Sequence, residues 1–330
     1  MLNVGILGCG VISNIHELAI KDLPNVRLYG VSDWDVSRAK AFAEGKDIVA
    51  YESFEDMLKD ENIDAVSICT PSGLHAEQAV KALNAGKHVL IEKPLALTVE
   101  QCEKIKKAQA ESGKVVSVVS QMRYAEDVRR VKRAIENGEF GKIVSCDLEL
   151  NYYRAPEYYS ASPWRGTIKM DGGGALMNQG IHGVDLLEYF FGKYEVMASK
   201  IDTRIHKIEA EDSAVALVSF SCGAVGIIQA STATAPGLLM KTKIYGDRGY
   251  AVLTDDELTE MFIDGKEIVY KNIKPFGGRA GDNKVLNYAN HSRQYENFAN
   301  AIEGKEKLLS NINNGIDSVE IITTVYKKSL

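Results

Sequence analysis

Lys93 is the side chain in this sequence best suited to moving a proton. It sits in Glu92-Lys93-Pro94, directly after His88-Val-Leu-Ile91, a short apolar run with the length of a buried strand. A lysine fixed between a carboxylate and a proline at the mouth of a sheet is poor packing material. Its amine titrates at about 10.4 in water, so work as a general acid/base requires a fall to roughly 7–8, through desolvation or a neighbouring cation. The plainer reading is a Glu92–Lys93 surface pair beside a turn. A second set of polar groups lies in Gly172–Gly192, a stretch otherwise covered with Leu, Met, Ile, Val and Phe. At 3.6 residues per turn, Asn178, His182, Asp185 and Tyr189 fall on one line. A helix that is apolar nearly all round is normally buried, and each unpaired polar group in it costs about 1–3 kcal/mol. Either the line is a satisfied core network in which Asp185 orients His182, or it faces a ligand.

These residues need a frame, and residues 1–121 predict one. Asn3 to Leu7 reads as a strand, followed by Gly8-Cys-Gly10-Val11-Ile12-Ser13 and a helical run to about Lys21. This is the G-x-G-x-x-G turn with its third glycine replaced by Ser13, which suggests looser packing of helix on strand. Gly8 and Gly10 allow a tight turn and close approach of a pyrophosphate, with Val11 and Ile12 opening the helix beneath it. A second strand, Val26–Ser32, ends in Asp33, about twenty residues further on, where an acid meets the adenosine ribose. A carboxylate there favours NAD over NADP; Arg38 is the one cation nearby able to reach a phosphate. Strands at 65–69, 88–91 and 115–120 alternate with helices, which predicts a doubly wound parallel α/β sheet of Rossmann type. Ligands bind beyond the carboxyl ends of such strands. Thr70, Pro71, His75, Glu92, Lys93 and Gln121 all fall at that rim, as candidate cofactor contacts.

Composition narrows the partners. The 330 residues are 45% hydrophobic and 25% charged, enough for two domains with separate cores. A net charge of −6 argues against a nucleic-acid or anionic-membrane surface. No apolar run is long enough to span a bilayer, and the N-terminus lacks a basic signal region. Five scattered cysteines with no C-x-x-C pair read as small hydrophobes in a reducing cytoplasm, without a zinc site.

Residues 122–330 predict an α+β domain that holds substrate and builds the oligomer. A helix over 124–137 and a strand over 143–150 lead into an irregular segment, Asn151 to Asp171. There Tyr152, Tyr153, Tyr158, Tyr159 and Trp164 interleave with Arg154, Arg165 and Lys169, a mixture able to stack on sugar or base faces and to pair with phosphate. A packed loop or a subunit contact would use the same residues. Runs at 196–208, 213–220, 225–231, 240–245, 251–253 and 261–263 have no crossover helices between them, so the sheet is large, open and mostly antiparallel. Helices over 291–303 and 316–326 return towards the first domain, and Asn272 to Ala289, with three glycines, reads as a mobile loop able to cover a site or reach a neighbour.

Gly8-x-Gly10 after the first strand, Asp33, Glu92-Lys93-Pro94 and the helix Asn178-x-Gly-x-His182-x-x-Asp185 occur together and in order. In that combination the whole chain resembles the Gfo/Idh/MocA oxidoreductases. The resemblance implies hydride transfer between a carbinol carbon and nicotinamide, with Lys93 and His182 handling the proton and no metal. It implies that Gln121 lies close to nicotinamide, that Trp164 and Arg165 lie against the cofactor's nicotinamide or phosphate end, and that the Lys93–Pro94 peptide is cis. It implies a homodimer or homotetramer formed through the second sheet. Arg123, Tyr153, Trp164, Arg165, Asn178 and His182 are the candidate substrate contacts. One departure matters. The position four before the helix histidine is an aspartate in inositol-dehydrogenase-like members, and here it is Asn178, which is similar to the 3-dehydrogenases of UDP-N-acetylglucosamine and its uronate. The expectation is an NAD-dependent sugar dehydrogenase, acting on a nucleotide sugar. The alternatives are a free sugar, inositol or polyol dehydrogenase, an NAD-dependent glycoside hydrolase working through transient C3 oxidation, and a non-enzymatic NAD sensor, which would need neither Lys93 nor His182.

Overall fold

A computed structural model of the protein describes residues 1–272 and 288–329. Nearly all of the loop expected over 272–289 lies outside the described residues. The chain divides into two compact units, one built from Met1–Gln121 with the described residues up to Ile316, the other from Met122 onwards with the segment beginning at Asp317.

The first unit follows the alternation of the sequence. Strands β1 (Leu2–Leu7), β2 (Val26–Ser32), β3 (Val49–Ala50), β4 (Ala65–Ile68), β5 (His88–Ile91) and β6 (Val116–Val118) form a parallel sheet in the order β3-β2-β1-β4-β5-β6. Helices α1 (Val11–Lys21), α2 (Val36–Ala43), α3 (Phe54–Lys59), α4 (His75–Asn84) and α5 (Val99–Ser112) connect them. Local chemistry sets their ends. Ser53 accepts from Asp56 N at the start of α3, and Thr98 accepts from Gln101 N at the start of α5. Gly113 closes α5 in the left-handed region, φ 67°. A later helix, α9 (Ala289–Ile302), belongs to this unit. Its Tyr295 and Phe298 join Val4, Ile20, Leu90 and Val119 in one buried cluster.

In the second unit, α6 (Glu126–Glu136) precedes β7 (Ile143–Asn151) and the short α7 (Pro156–Ser160). The apolar helix α8 (Ile181–Phe191) then leads into β8 (Tyr194–Asp202), β9 (Ser213–Phe220), β10 (Val225–Ser231), β11 (Lys241–Gly246), β12 (Gly249–Thr254), β13 (Glu257–Ile263) and β14 (Lys266–Tyr270). The strands pair in the order β14-β13-β12-β11-β7-β10-β9-β8, antiparallel except where β7 meets β10. β14, Lys-Glu-Ile-Val-Tyr, was not expected from the sequence; its half-charged edge sequence hid it. β8 was expected to run to Ile208 but ends at Asp202. The Asp212 carboxylate takes the N–H groups of Arg204, Ile205 and His206 and curls the chain into a loop. Gly183 explains how closely α8 lies on β7: a Cβ there would stand 2.3 Å from Leu148 Cδ1. α10 spans Ile312–Lys327. Among the described residues, no helix is long and apolar enough to cross a membrane.

Candidate active site

In the first unit the strand–turn–helix after β1 has the chemistry a dinucleotide needs. Gly8 adopts φ +99°, and a Cβ on it would meet the Cys69 carbonyl oxygen at 2.8 Å, so only glycine makes this turn. Gly10 has nothing within 4 Å of its Cβ direction, and no side chain caps α1. The first N–H groups of α1 thus lack a side-chain cap, as an anion at a helix N-terminus requires, and exposed Val11 and half-buried Ile12 open the helix. Ser13 corrects the expectation of loose packing: it is fully buried, and its hydroxyl donates back to the Gly10 carbonyl. The Asp33 carboxylate accepts from Cys9 N at 2.7 Å and Asp35 N at 3.0 Å, which ties the turn to the end of β2. Each oxygen keeps lone pairs for ribose hydroxyls. Gln121 adds a buried Oε1 with no hydrogen-bond partner among the described residues, an acceptor suited to a carboxamide N–H. Arg38 is exposed on α2.

Trp34, beside Asp33, was missed from the sequence because one aromatic in a loop carries no pattern. It is 88% exposed, the least covered large apolar side chain among the described residues. Its ring is available to stack on adenine, and base–aromatic stacking is worth about 1–3 kcal/mol. Trp34→Ala is expected to weaken NAD+ about fivefold to a hundredfold in a calorimetric titration.

Around Lys93 the surface-pair reading gives way. The Lys93–Pro94 peptide is cis, as expected. Glu92 is buried, and its partner is His16 of α1: His16 Nε2 donates to Glu92 Oε1 at 2.9 Å, and the Lys93 N–H donates to Glu92 Oε2 at 3.1 Å. Both oxygens thus hold the chain that carries Lys93, and each keeps a lone pair. Burial would raise the Glu92 carboxyl, but His16 outweighs it and holds the group at about 2. Burial would likewise lower His16, yet Cys69, Tyr295 and Glu92 push it well above the ordinary histidine value. His16 Nδ1 lies 2.7 Å from the Tyr295 hydroxyl, which donates to Ser67. His291 completes this nest, driven down to about 4 by burial and then by His16. Ligand atoms of His16, Glu92 and His291 lie within 4.8 Å of one another. A proton already bridges the first two, and a metal needs its histidines deprotonated. His75, by contrast, corrects its reading as a cofactor contact. It is buried, with Nδ1 2.7 Å from Pro94 O and Nε2 3.0 Å from Thr70 O, so it braces the strand ends and has no ring nitrogen left for a cofactor.

In the second unit the expected polar line is broken at its start. Ala175–Gly180 form a π-helical turn ahead of α8, which shifts the register between Asn178 and His182. Glu211 pins that turn, accepting from Gly174 N and Leu176 N at 2.8 Å each and from Tyr326 OH at 2.9 Å. His182 is half-buried on α8. Asp185 accepts from Arg123 Nε and Nη2 at 2.8 Å each, and Glu188 accepts from the same guanidinium. Arg123 is only 2% exposed and lies 5.1 Å from the Tyr189 ring. It is therefore an internal tie between the segment before α6 and α8, which corrects its reading as a substrate contact.

The aromatic segment condenses around Tyr158. Arg165 lies 4.3 Å above that ring and 5.6 Å from Trp164, and Arg154 lies 5.3 Å from Tyr158 on its own account. The Nε atoms of both arginines are buried without hydrogen-bond partners among the described residues. Tyr153 bridges Ala233 through its main chain. Arg154 Nη2 donates to Gln179 Oε1 at 2.7 Å, and Gln179 Nε2 donates to Asn178 Oδ1, so the segment is wired to Asn178.

Known proteins share the fold. Residues 2–120 match the family described as an oxidoreductase family with an NAD-binding Rossmann fold, and residues 128–252 match the GFO/IDH/MocA C-terminal domain. The WlbA dehydrogenase of Bordetella pertussis, crystallised with NADH and UDP-GlcNAcA, is 31% identical, with 99% of this chain and 95% of that one aligned at a TM-score of 0.88. The D-glucoside 3-dehydrogenase of Escherichia coli is 26% identical over 99% of this chain and 95% of its own length. The myo-inositol 2-dehydrogenase of Thermotoga maritima is 27% identical over 75% of this chain and 74% of its own.

Proposed function

This chain belongs to the GFO/IDH/MocA oxidoreductases, NAD-dependent enzymes acting on CH–OH groups, and we propose that it oxidises a ring hydroxyl of a nucleotide sugar, C3 of a UDP-N-acetylhexosamine or its uronate. The observation that carries this reading is the wiring of a cationic aromatic cluster, Arg154, Arg165, Tyr158 and Trp164, to Asn178 through Gln179. Two arginine charges suit a diphosphate or carboxylate, and stacked rings suit a base or sugar face. A neutral inositol would use neither.

In this reading the start of α1, Gly8, Gly10 and Asp33 hold the pyrophosphate and ribose, and Gln121 accepts from the carboxamide. NAD+, when bound, accepts the hydride that leaves the carbinol carbon. Lys93 takes the proton of the hydroxyl as the ketone forms, and His182 hydrogen-bonds the same oxygen. The His16–Glu92 pair keeps the main chain at Lys93 in place while that proton moves. Asn178 cannot take a proton, so the acid/base work rests on Lys93 and His182.

Incubation with NAD+ and a panel of UDP-sugars, free sugars and inositols tests this. NADH together with a 3-keto UDP-sugar is the expected result. Turnover of free hexoses, glucosides or inositols alone would sink the nucleotide-sugar assignment, and release of an aglycone without net NADH would mean the hydrolase chemistry instead. The five free cysteines suit the reducing cytoplasm in which such sugars are made.

The open face of the second sheet belongs to the same reading. Leu217 and Ile227 pair across β9 and β10, and both are about half exposed, as are Val215 and Val225 beside them. A second copy of the chain covers this face. Sedimentation should show a dimer or tetramer, and Leu217→Lys with Ile227→Lys should yield a monomer.

A further inference from the structure

The turn that opens α8 is capped from elsewhere in the chain. A helix leaves its first four N–H groups without acceptors of its own. Here those belong to Gly174, Ala175, Leu176 and Met177, and the first internal bond runs from Asn178 N to Gly174 O at 3.0 Å. Gly174 has no side chain to cap them, and two residues distant in sequence take all four. The Glu211 carboxylate accepts from Gly174 N and Leu176 N, and its main-chain carbonyl accepts from Ala175 N at 2.9 Å. The Tyr326 hydroxyl accepts from Met177 N at 3.2 Å and donates to Glu211 Oε1. The approach is close enough to need glycine: a Cβ on Gly174 would collide with Glu211 O, and one on Gly173 with the Tyr326 hydroxyl. The helix dipole favours a carboxylate at this end, which offsets part of the cost of burying Glu211.

We propose that Glu211 and Tyr326 are positioning residues, which hold Ala175–Gly180 in its π winding and so aim Asn178 and Gln179 at the substrate. The aim at substrate rests on the dehydrogenase reading above; the capping does not. Both residues act through the main chain of the turn, which carries the pair wired to Arg154. π turns occur mostly singly within α-helices, often at functional sites, and this one is held while its N–H groups are bonded to Glu211 and Tyr326. Losing either partner lets the turn relax towards α winding, which rotates Asn178 and Gln179 against His182. A shift of about 1 Å at such groups costs up to about a hundredfold in rate.

Y326F and E211Q test this. Phenylalanine keeps the ring and removes the acceptor of Met177 N; glutamine keeps the shape but turns an amide donor towards N–H groups. S199A is the control, since it cuts a different tie of α10, the hydrogen bond from Ser199 Oγ to Val325 O. In the free protein, hydrogen exchange read by mass spectrometry should quicken about threefold or more over residues 174–177 in Y326F and E211Q, and not in S199A. With the sugar substrate at saturating NAD+, kcat should fall about tenfold or more in Y326F and E211Q with NAD+ affinity kept, and S199A should keep the native value. Unchanged exchange in Y326F overturns the capping, and Y326F alone decides should E211Q fail to fold. Native kcat in Y326F, or an equal loss in S199A, overturns the positioning role. If exchange behaves as expected while the native protein oxidises no sugar, the function proposed above fails and takes the positioning role with it.

Discussion

Lys93→Met is expected to lower kcat by about 10²–10⁴-fold, the usual contribution of a positioned general acid/base. NAD+ affinity should change little. The residues argued to hold the pyrophosphate and ribose lie at the ends of β1 and β2, whereas Lys93 follows β5. Its main chain is fixed by Glu92 through the N–H group, which methionine keeps. Methionine also preserves the stem, so the change removes the amine and little else. Steady-state turnover with the oxidised sugar, set beside a calorimetric titration with NAD+, separates the outcomes. Loss of binding with chemistry intact at saturating cofactor would overturn the role given to Lys93.

The largest effect on stability is expected at Arg123. Its guanidinium is held by Asp185 and Glu188 in the interior of the second unit. Arg123→Met would remove the guanidinium that the two buried carboxylates share, and breaking a buried pair in this way costs about 3–5 kcal/mol. Against a typical domain stability of about 5–15 kcal/mol, that is a large share. Burial already raises the Glu188 carboxyl above its ordinary range even with Arg123 beside it. Without the cation the Glu188 carboxyl shifts further up, so the defect should deepen as pH rises. Urea denaturation of the native protein, R123M and R123M/D185N/E188Q measures this. The triple variant should recover much of the loss, because replacing all partners avoids an orphaned charge. A loss below about 1 kcal/mol in R123M would mean the carboxylates find other compensation.

The parts of this protein that were legible in the sequence are those governed by local rules. Strand and helix alternation and the Gly8 turn each depend on a few adjacent residues. The Lys93–Pro94 geometry and the position of Asn178 came through resemblance. What stayed hidden was the pairing of polar groups distant in sequence. His16 to Glu92 spans 76 positions and Arg123 to Asp185 spans 62, and neither leaves a periodic trace. For the same reason His75 and Arg123 looked like ligand contacts: a polar residue near a motif carries no mark of the partner that occupies it. The π turn was illegible because it depends on Glu211, far along the chain, to pin its N–H groups.

The first unit is closed by a helix made long after its sheet. Tyr295 and Phe298 complete the cluster around Val4, Ile20 and Leu90, and Gln294 donates to Val118 O and accepts from Ser120 N at the end of β6. At ribosomal speeds of about 5–20 residues per second, α9 emerges roughly 10–30 s after residue 121. Throughout that interval the nascent nucleotide-binding sheet has an open apolar flank, and His16 lacks the hydroxyl partner supplied by Tyr295. A polypeptide released before α9 is left with that part of its core uncovered. Quality control by chaperones and proteases would thus discriminate by chain completeness, and the finished C-terminal segment is what commits the cofactor-binding half to its folded state.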